Sequence, residues 1–146
     1  MLILHGPNLN ILGKREPQIY GHSTLEELTQ QMRDLGQRFD LELAFFQSNH
    51  EGVIIDKIHE GMGVCDGLIL NPGAFTHYSY AIRDAIAGTE IPTVEVHISN
   101  IYKRESFRHQ SVIAPVTIGQ ISGLGMFGYL AALYYFIDYF NKNHSS

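Results

Sequence analysis

A single cysteine, Cys65, stands in a chain of 146 residues. No intrachain disulfide can form, and such sparse cysteine usage fits a reducing compartment, so a cytoplasmic setting is expected. Positive charge is also scarce: 10 Lys+Arg against 15 Asp+Glu leave a net charge of -5. Without a basic stripe to neutralise phosphates, a nucleic-acid partner is not expected. Long hydrophobic runs are missing too. The most apolar stretch, residues 124–137, is interrupted by Gly125 and Gly128 and falls short of the ~20 residues a bilayer span requires, so it reads as a buried helix rather than a membrane anchor. No charged n-region precedes the first apolar run, and Gly6-Pro7 follows it at once, so a secretory signal is not expected either. The eight histidines show no His-x-x-x-His spacing and Cys-x-x-Cys is absent, so nothing points to a metal.

What is present suits one globular domain over residues 1–146, with 45% hydrophobic residues and enough length for a full core but not for two. Met1 to His5 reads as a buried strand. Ser23-Thr24-Leu25-Glu26 reads as a capping box with Ser23 as N-cap, and Leu25, Leu28, Met32, Leu35 and Phe39 recur behind it at helical spacing. Leu41 to Gln47 reads as a strand, Val53 to Gly61 as a helix, Gly67 to Asn71 as a strand apolar on both faces. A helix over Ser79 to Ala87, closed by Gly88, a strand over Pro92 to His97, a fifth over Val116 to Ile121 and a last helix from Gly125 to about Asn141 complete the pattern. Strands alternating with helices imply parallel pairing with right-handed crossovers. Five such units predict an α/β flavodoxin-like sheet of order 2-1-3-4-5 with helices on both faces.

That topology places a ligand site beyond the carboxyl ends of the strands, at the switch point between strands 1 and 3. Asn8, Asn71, His77, His97 and Ser99 all fall just past strands 1, 3 and 4. They carry side chains suited to hydroxyl and carboxylate groups. Asn71-Pro72-Gly73-Ala74 breaks the chain sharply, which a simple turn explains equally well until His77 above the same strand tip is considered. Glu95 and His97 are two residues apart and therefore share a face of their strand. A carboxylate beside an imidazole orients the ring and favours its protonated form, as a general acid needs, although strand ends also use such pairs structurally. Arg104 and Arg108 follow downstream. They suit either a solvated face or an anionic substrate.

The connection after strand 1 is about three times the usual strand-to-helix length, and long loops of this kind are commonly lids or binding loops. It carries Arg15 and Tyr20 between Gly13 and Gly21. A free tyrosine titrates near ~10, so lowering it to ~7 takes roughly 4 kcal/mol of preference for the tyrosinate. A guanidinium about 4 Å away supplies on the order of that at an effective dielectric of 20, but only about 1 kcal/mol in water. The pair therefore works as a base only in a closed, dry site, and otherwise amounts to two exposed loop residues. Gly123-Leu124-Gly125-Met126-Phe127-Gly128 has the G-x-G-x-x-G spacing, but it comes late, without a following βαβ unit or an acidic partner. Close helix packing is the better reading.

Four blocks, GPNLNILGKREPQIYG, LILNPGAFTHYSYAIRDAI, VEVHISNIYKRESFRHQS and GQISGLGMFGYLAAL, occur in order along nearly the whole chain. Together they resemble type II 3-dehydroquinate dehydratase. The resemblance implies dehydration of 3-dehydroquinate to 3-dehydroshikimate through an enolate, with no metal or organic cofactor, in a dodecamer of four trimers. It implies that Tyr20 abstracts the proton and that Arg15 is its lid partner. His97 would protonate the departing hydroxyl, oriented by Glu95, and Asn8 would hold the water that stabilises the enolate. Asn71, His77 and Arg108 would bind substrate hydroxyls, Ile98 and Ser99 the carboxylate, and Asp84 would reach a neighbouring subunit's site. His5 and Val112 depart from the asparagine and tyrosine common at those places, and no chemistry is expected of either.

Two other functions fit the same fold. A mononucleotide or FMN module would want a Ser/Thr/Gly-rich phosphate loop after strand 1, where this chain has Pro7, Leu9, Ile11 and Leu12. A phosphoacceptor domain would want an aspartate at the end of strand 3, where Asn71 stands.

Overall fold

The computed structural model describes residues 1–14, 16, 18 and 23–144. Among them are five strands: β1 (Leu2–His5), β2 (Ala44–Gln47), β3 (Leu68–Asn71), β4 (Thr93–His97) and β5 (Gly119–Ser122). Four α-helices are complete among the described residues: α1 (Leu25–Arg38), α2 (Glu51–Gly61), α3 (Tyr80–Thr89) and α4 (Phe127–His144). All strand pairs are parallel and the order is 2-1-3-4-5, as the alternation of elements predicts.

Each central strand is buried on both faces because its successive side chains point to opposite helix layers. Ile3, Ile69, Val94 and Val96 pack against Leu28, Met32 and Leu35 of α1 and Tyr129, Leu133 and Phe136 of α4. Leu2, Leu4, Leu68 and Leu70 pack on the other side against Ile54 and Ile58 of α2 and Ile82 and Ile86 of α3. The apolar stretch 124–137 is thus spent largely on covering the sheet, and among the described residues no helix is long and apolar enough to cross a membrane.

Several boundaries differ from the sequence expectation, each for a local reason. The N-cap of α1 is Thr24, not Ser23: Thr24 is extended and its hydroxyl accepts from the Glu27 N–H at 3.2 Å. Two overlapping capping patterns exist, and the second matches the helix that buries Leu28, Met32 and Leu35. Phe39 then falls on the C-cap, outside that stripe, and is 43% exposed. Helix α3 runs past Gly88 to Thr89, and the left-handed cap is Glu90, whose N–H reaches the Ile86 carbonyl. Strand β5 starts later than expected because residues 114–116, with Pro115, form a short 3-10 turn. Helix α4 starts after Gly125, since Gly123 and Gly125 both adopt positive φ (91° and 62°) and cannot be helical. Close packing is also served: an added Cβ would lie 2.9 Å from Asn100 at Gly123 and 3.3 Å from Val96 at Gly128, and only Gly125 has open space.

Polar contacts join the sheet to α4 at Tyr129. His5, expected to carry no special role, is buried at the tip of β1, and its Nδ1 lies 3.0 Å from the Tyr129 hydroxyl. Burial lowers the pKa of His5 from 6.5 to about 4, so the ring is neutral near pH 7. Its Nε2 has no hydrogen-bond partner among the described residues.

Two outcomes follow from this packing. An alanine at Gly6 would put Cβ 2.6 Å from the Pro72 carbonyl oxygen, a backbone atom that cannot step aside. Gly6→Ala should therefore lose about 1–3 kcal/mol in a urea titration, the usual cost of overpacking. The second concerns acid. The folded pKa of His5 lies below its unfolded value of 6.5, so the unfolded chain takes up the proton first and stability falls as pH drops from about 6.5 to about 4. Thermal melts should show this decline, worth on the order of 3 kcal/mol in all, and His5→Asn should flatten it. An unchanged profile in that variant would assign the decline to other groups.

Candidate active site

The tips of β1, β3 and β4 converge on a cavity of about 160 Å³, lined by Asn8, Asn71, His77, His97, Ser99 and Arg108 among others. This is several times a water's ~30 Å³ share of liquid volume, which suits a small molecule rather than a polymer. It is also the switch-point crevice of the fold.

Gly6 lets β1 continue tight against the exit of β3, with its N–H 2.7 Å from the Asn71 carbonyl. The chain then turns at Asn8, which adopts a left-handed conformation (φ 69°) that asparagine tolerates better than most residues. Asn49 fixes this turn by accepting the Asn8 N–H at 2.9 Å, and Gln47 at the end of β2 donates both to Asn49 and to the Gly6 carbonyl. The Asn8 side chain is thereby free to line the cavity.

Asn71 ends β3 and is buried. Its Oδ1 accepts the Gly73 N–H at 3.0 Å, and its Nδ2 donates to the Tyr129 hydroxyl at 2.9 Å. His77 closes the short 3-10 turn that follows, and its Nδ1 donates to the Gln110 carbonyl at 2.9 Å. Partial burial lowers the His77 pKa, and the charges of His97 and Arg108 act in the same direction; together they outweigh the Gln110 hydrogen bond and the attraction of Glu95. The ring is therefore held neutral, with Nε2 left as an acceptor.

Glu95 and His97 do share one face of β4, as their spacing requires. Glu95 has no solvent exposure, and His97 donates to it through Nε2. Thr76 and Gln120 donate to the same carboxylate at 2.7 and 2.9 Å, and Ser111 donates at 2.8 Å. Burial alone would raise the Glu95 pKa, but the hydrogen bond and attraction of His97, with the bonds from Thr76 and Gln120, outweigh it and hold the carboxyl below its ordinary value. Because the His97 ring makes no other hydrogen bond among the described residues, its Nδ1 is the nitrogen left to a bound molecule. Thr76, Ser111 and Gln120 were not singled out by sequence. Gln120 is found only through register, since it sits opposite Glu95 on β5.

On the far wall, Arg104 reaches the Ser99 hydroxyl at 3.4 Å. Arg108 is held by Glu105 at 2.6 Å and lies over the Phe107 ring. These cations suit an anionic ligand. Ile98 contributes backbone beside Ser99. Asp84 does not join the group: it is exposed on α3, outside the cavity of its own chain. Arg15 and Tyr20 lie outside the described residues. Val112 is a core residue whose N–H bonds the Thr76 carbonyl at 2.8 Å, so it steadies the residue that holds Glu95.

Comparison with known proteins is consistent with this architecture. A model of the class II dehydroquinases matches residues 1–137. The chain is 58% identical over 137 residues to a 3-dehydroquinate dehydratase of Anoxybacillus flavithermus, covering 94% of this chain and 93% of that protein. Against a 3-dehydroquinate dehydratase of Bacillus licheniformis it is 58% identical over 142 residues, covering 97% and 98% of the two. The crystal structure of a type II dehydroquinase from Butyrivibrio crossotus superposes with a TM-score of 0.90 at 50% identity, covering 94% of this chain and 95% of that one. Agreement of this breadth, in sequence and in backbone alike, makes the chain a member of the class II dehydroquinase family.

Proposed function

We propose that this protein dehydrates 3-dehydroquinate to 3-dehydroshikimate by anti elimination of water through an enolate, as a cytoplasmic enzyme of the shikimate pathway. The observation that carries the reading is the buried Glu95–His97 pair, which leaves one imidazole nitrogen facing a small polar cavity with arginines on its wall. The substrate is an anion with several hydroxyls, and the cavity offers complementary groups on every side.

In this reading Tyr20 removes the proton beside the ketone, helped by Arg15, whose charge favours the tyrosinate once water is excluded. The resulting enolate oxygen is stabilised by a water on Asn8. His97 then protonates the departing hydroxyl, so that it leaves as water and the enone forms. Glu95 acts by fixing the ring of His97 through its Nε2 hydrogen bond. Asn71, His77 and Arg108 bind substrate hydroxyls. The backbone of Ile98 and the hydroxyl of Ser99 take the carboxylate.

A homo-oligomer, a dodecamer built of four trimers, belongs to the same proposal. Asp84 lies outside its own cavity and would serve a neighbouring one. Tyr78, Tyr80 and Phe107 are 57%, 66% and 64% exposed around the same end of α3, an apolar surface suited to burial between subunits. Light scattering should give the mass of three chains or a multiple of three. A fully active monomer would remove Asp84 from the site.

Turnover is tested by adding 3-dehydroquinate and following the conjugated enone in the ultraviolet. A folded oligomeric sample with no turnover would overturn the assignment. His97→Ala should lower kcat roughly 10²–10⁴-fold, the span of general acid catalysis. Tyr20→Phe should nearly abolish kcat, since the ring stays and the base is lost. Substantial activity in Tyr20→Phe would instead move the base to His77, whose Nε2 is the free acceptor in the cavity.

A further inference from the structure

Asn71 is held from inside the core as well as from the cavity side. The Gly73 N–H can only donate, so the atom it meets at 3.0 Å must be Oδ1 of Asn71. Nδ2 therefore faces the Tyr129 hydroxyl, 2.9 Å away. That hydroxyl oxygen is then already an acceptor, and its own proton needs a destination. His5 Nδ1, 3.0 Å away, provides one. The chain of donors runs in one direction: Asn71 to Tyr129 to His5. All three residues are buried, and Tyr129 is wholly without exposure. His5 and Asn71 are paired in register on adjacent strands, and Tyr129 drops onto both from the first turns of α4.

We propose that Tyr129 and His5 are positioning residues for Asn71, fixing its amide so that its second N–H and remaining lone pair meet the substrate in one orientation only. Neither residue lines the cavity. Without the Tyr129 hydroxyl, Nδ2 of Asn71 loses its acceptor in the core, and the Gly73 N–H is left as the protein contact that holds the amide among the described residues. Without an acceptor at position 5, the Tyr129 proton turns back toward Asn71 and competes with the amide. An asparagine side chain places its Oδ1 where a histidine carries Nδ1, so His5→Asn retains the acceptor, whereas His5→Leu removes it.

The inference rests on the dehydratase reading, in which Asn71 binds a substrate hydroxyl. Steady-state kinetics with 3-dehydroquinate provide the first test. Tyr129→Phe and His5→Leu should raise KM roughly three- to tenfold, the worth of one neutral hydrogen bond, with kcat within about twofold of wild type. His5→Asn should bring KM back towards the wild-type value. A merely structural role would lower thermal stability and the yield of active enzyme in these variants but leave KM unchanged, and that result would overturn the proposal. If Tyr129→Phe fails to fold, the contrast between the two His5 variants decides the matter. Crystal structures of the wild type and Tyr129→Phe give a readout independent of turnover. The Asn71 amide should leave the Gly73 N–H in the variant, and an unmoved amide would count against the clamp. If wild-type protein shows no turnover, the functional reading fails while this structural comparison still decides the inference.

Discussion

A carboxylate sealed from water sits in the middle of β4, two residues before its tip, and the working face of the sheet is organised around it. Removing a lone ion from water costs several kcal/mol or more unless donors replace the lost hydration. Glu95 receives such donors from His97 on its own strand, Thr76 after β3, Ser111 in the long connection after β4, and Gln120 on β5. The demand of one buried charge thus ties together segments that are distant in the chain. Ser111 shows how fully the accounting closes. Its proton goes to Glu95, while its oxygen accepts the N–H groups of Ile113 and Ala114. The outcome is an imidazole with a fixed orientation and, among the described residues, one nitrogen without a partner.

The opposite face of the sheet carries a second polar group, made of His5, Tyr129 and Asn71, and its physics is different. There is no ion in it. Burial keeps His5 neutral and drives the Tyr129 pKa upward, so both side chains act as plain hydrogen-bonding groups over the usual pH range. Both networks occur where the apolar filling of the strands ends: below them lie Ile3 and Ile69 on one side and Leu68 and Leu70 on the other. The apolar layers supply the stability, and the polar layer at the strand tips supplies the orientation. A site of this kind needs rigid supports, because a displacement of about 1 Å at a reacting group can cost on the order of 10²-fold in rate.

Much of this was legible in the chain itself. Alternation of short apolar runs with helical periodicities gave the parallel sheet and its order, since two-sided burial leaves strands such as Leu68–Asn71 few other places to go. The polar residues just past those strands marked the crevice, because topology assigns strand tips to ligands. Where two local signals overlapped, the reading slipped by one or two residues. Ser23 and Thr24 both fit a cap, and only the direction of the buried stripe on α1 selects Thr24. Gly88 reads as a helix stop, yet α3 runs on to Thr89, and Glu90, in a left-handed conformation, closes the turn with its N–H on the Ile86 carbonyl. The glycines at the start of α4 read as packing residues, and Gly123 and Gly128 are, but Gly123 and Gly125 are also required for positive φ.

By itself the sequence determined which elements form, in which order they pair, and that Glu95 and His97 share a face, because these depend on spacings of two to four residues. It also contained, in four ordered blocks, the family to which the chain belongs. Tertiary structure alone decided which groups satisfy Glu95, which way the Asn71 amide points, and that His5 is part of a polar network rather than an idle departure. Asn71 and Tyr129 are 58 residues apart, and His5 and Tyr129 are 124. Contacts at such separations are set by register and by how a helix lies on the sheet, and no local pattern of residues encodes them.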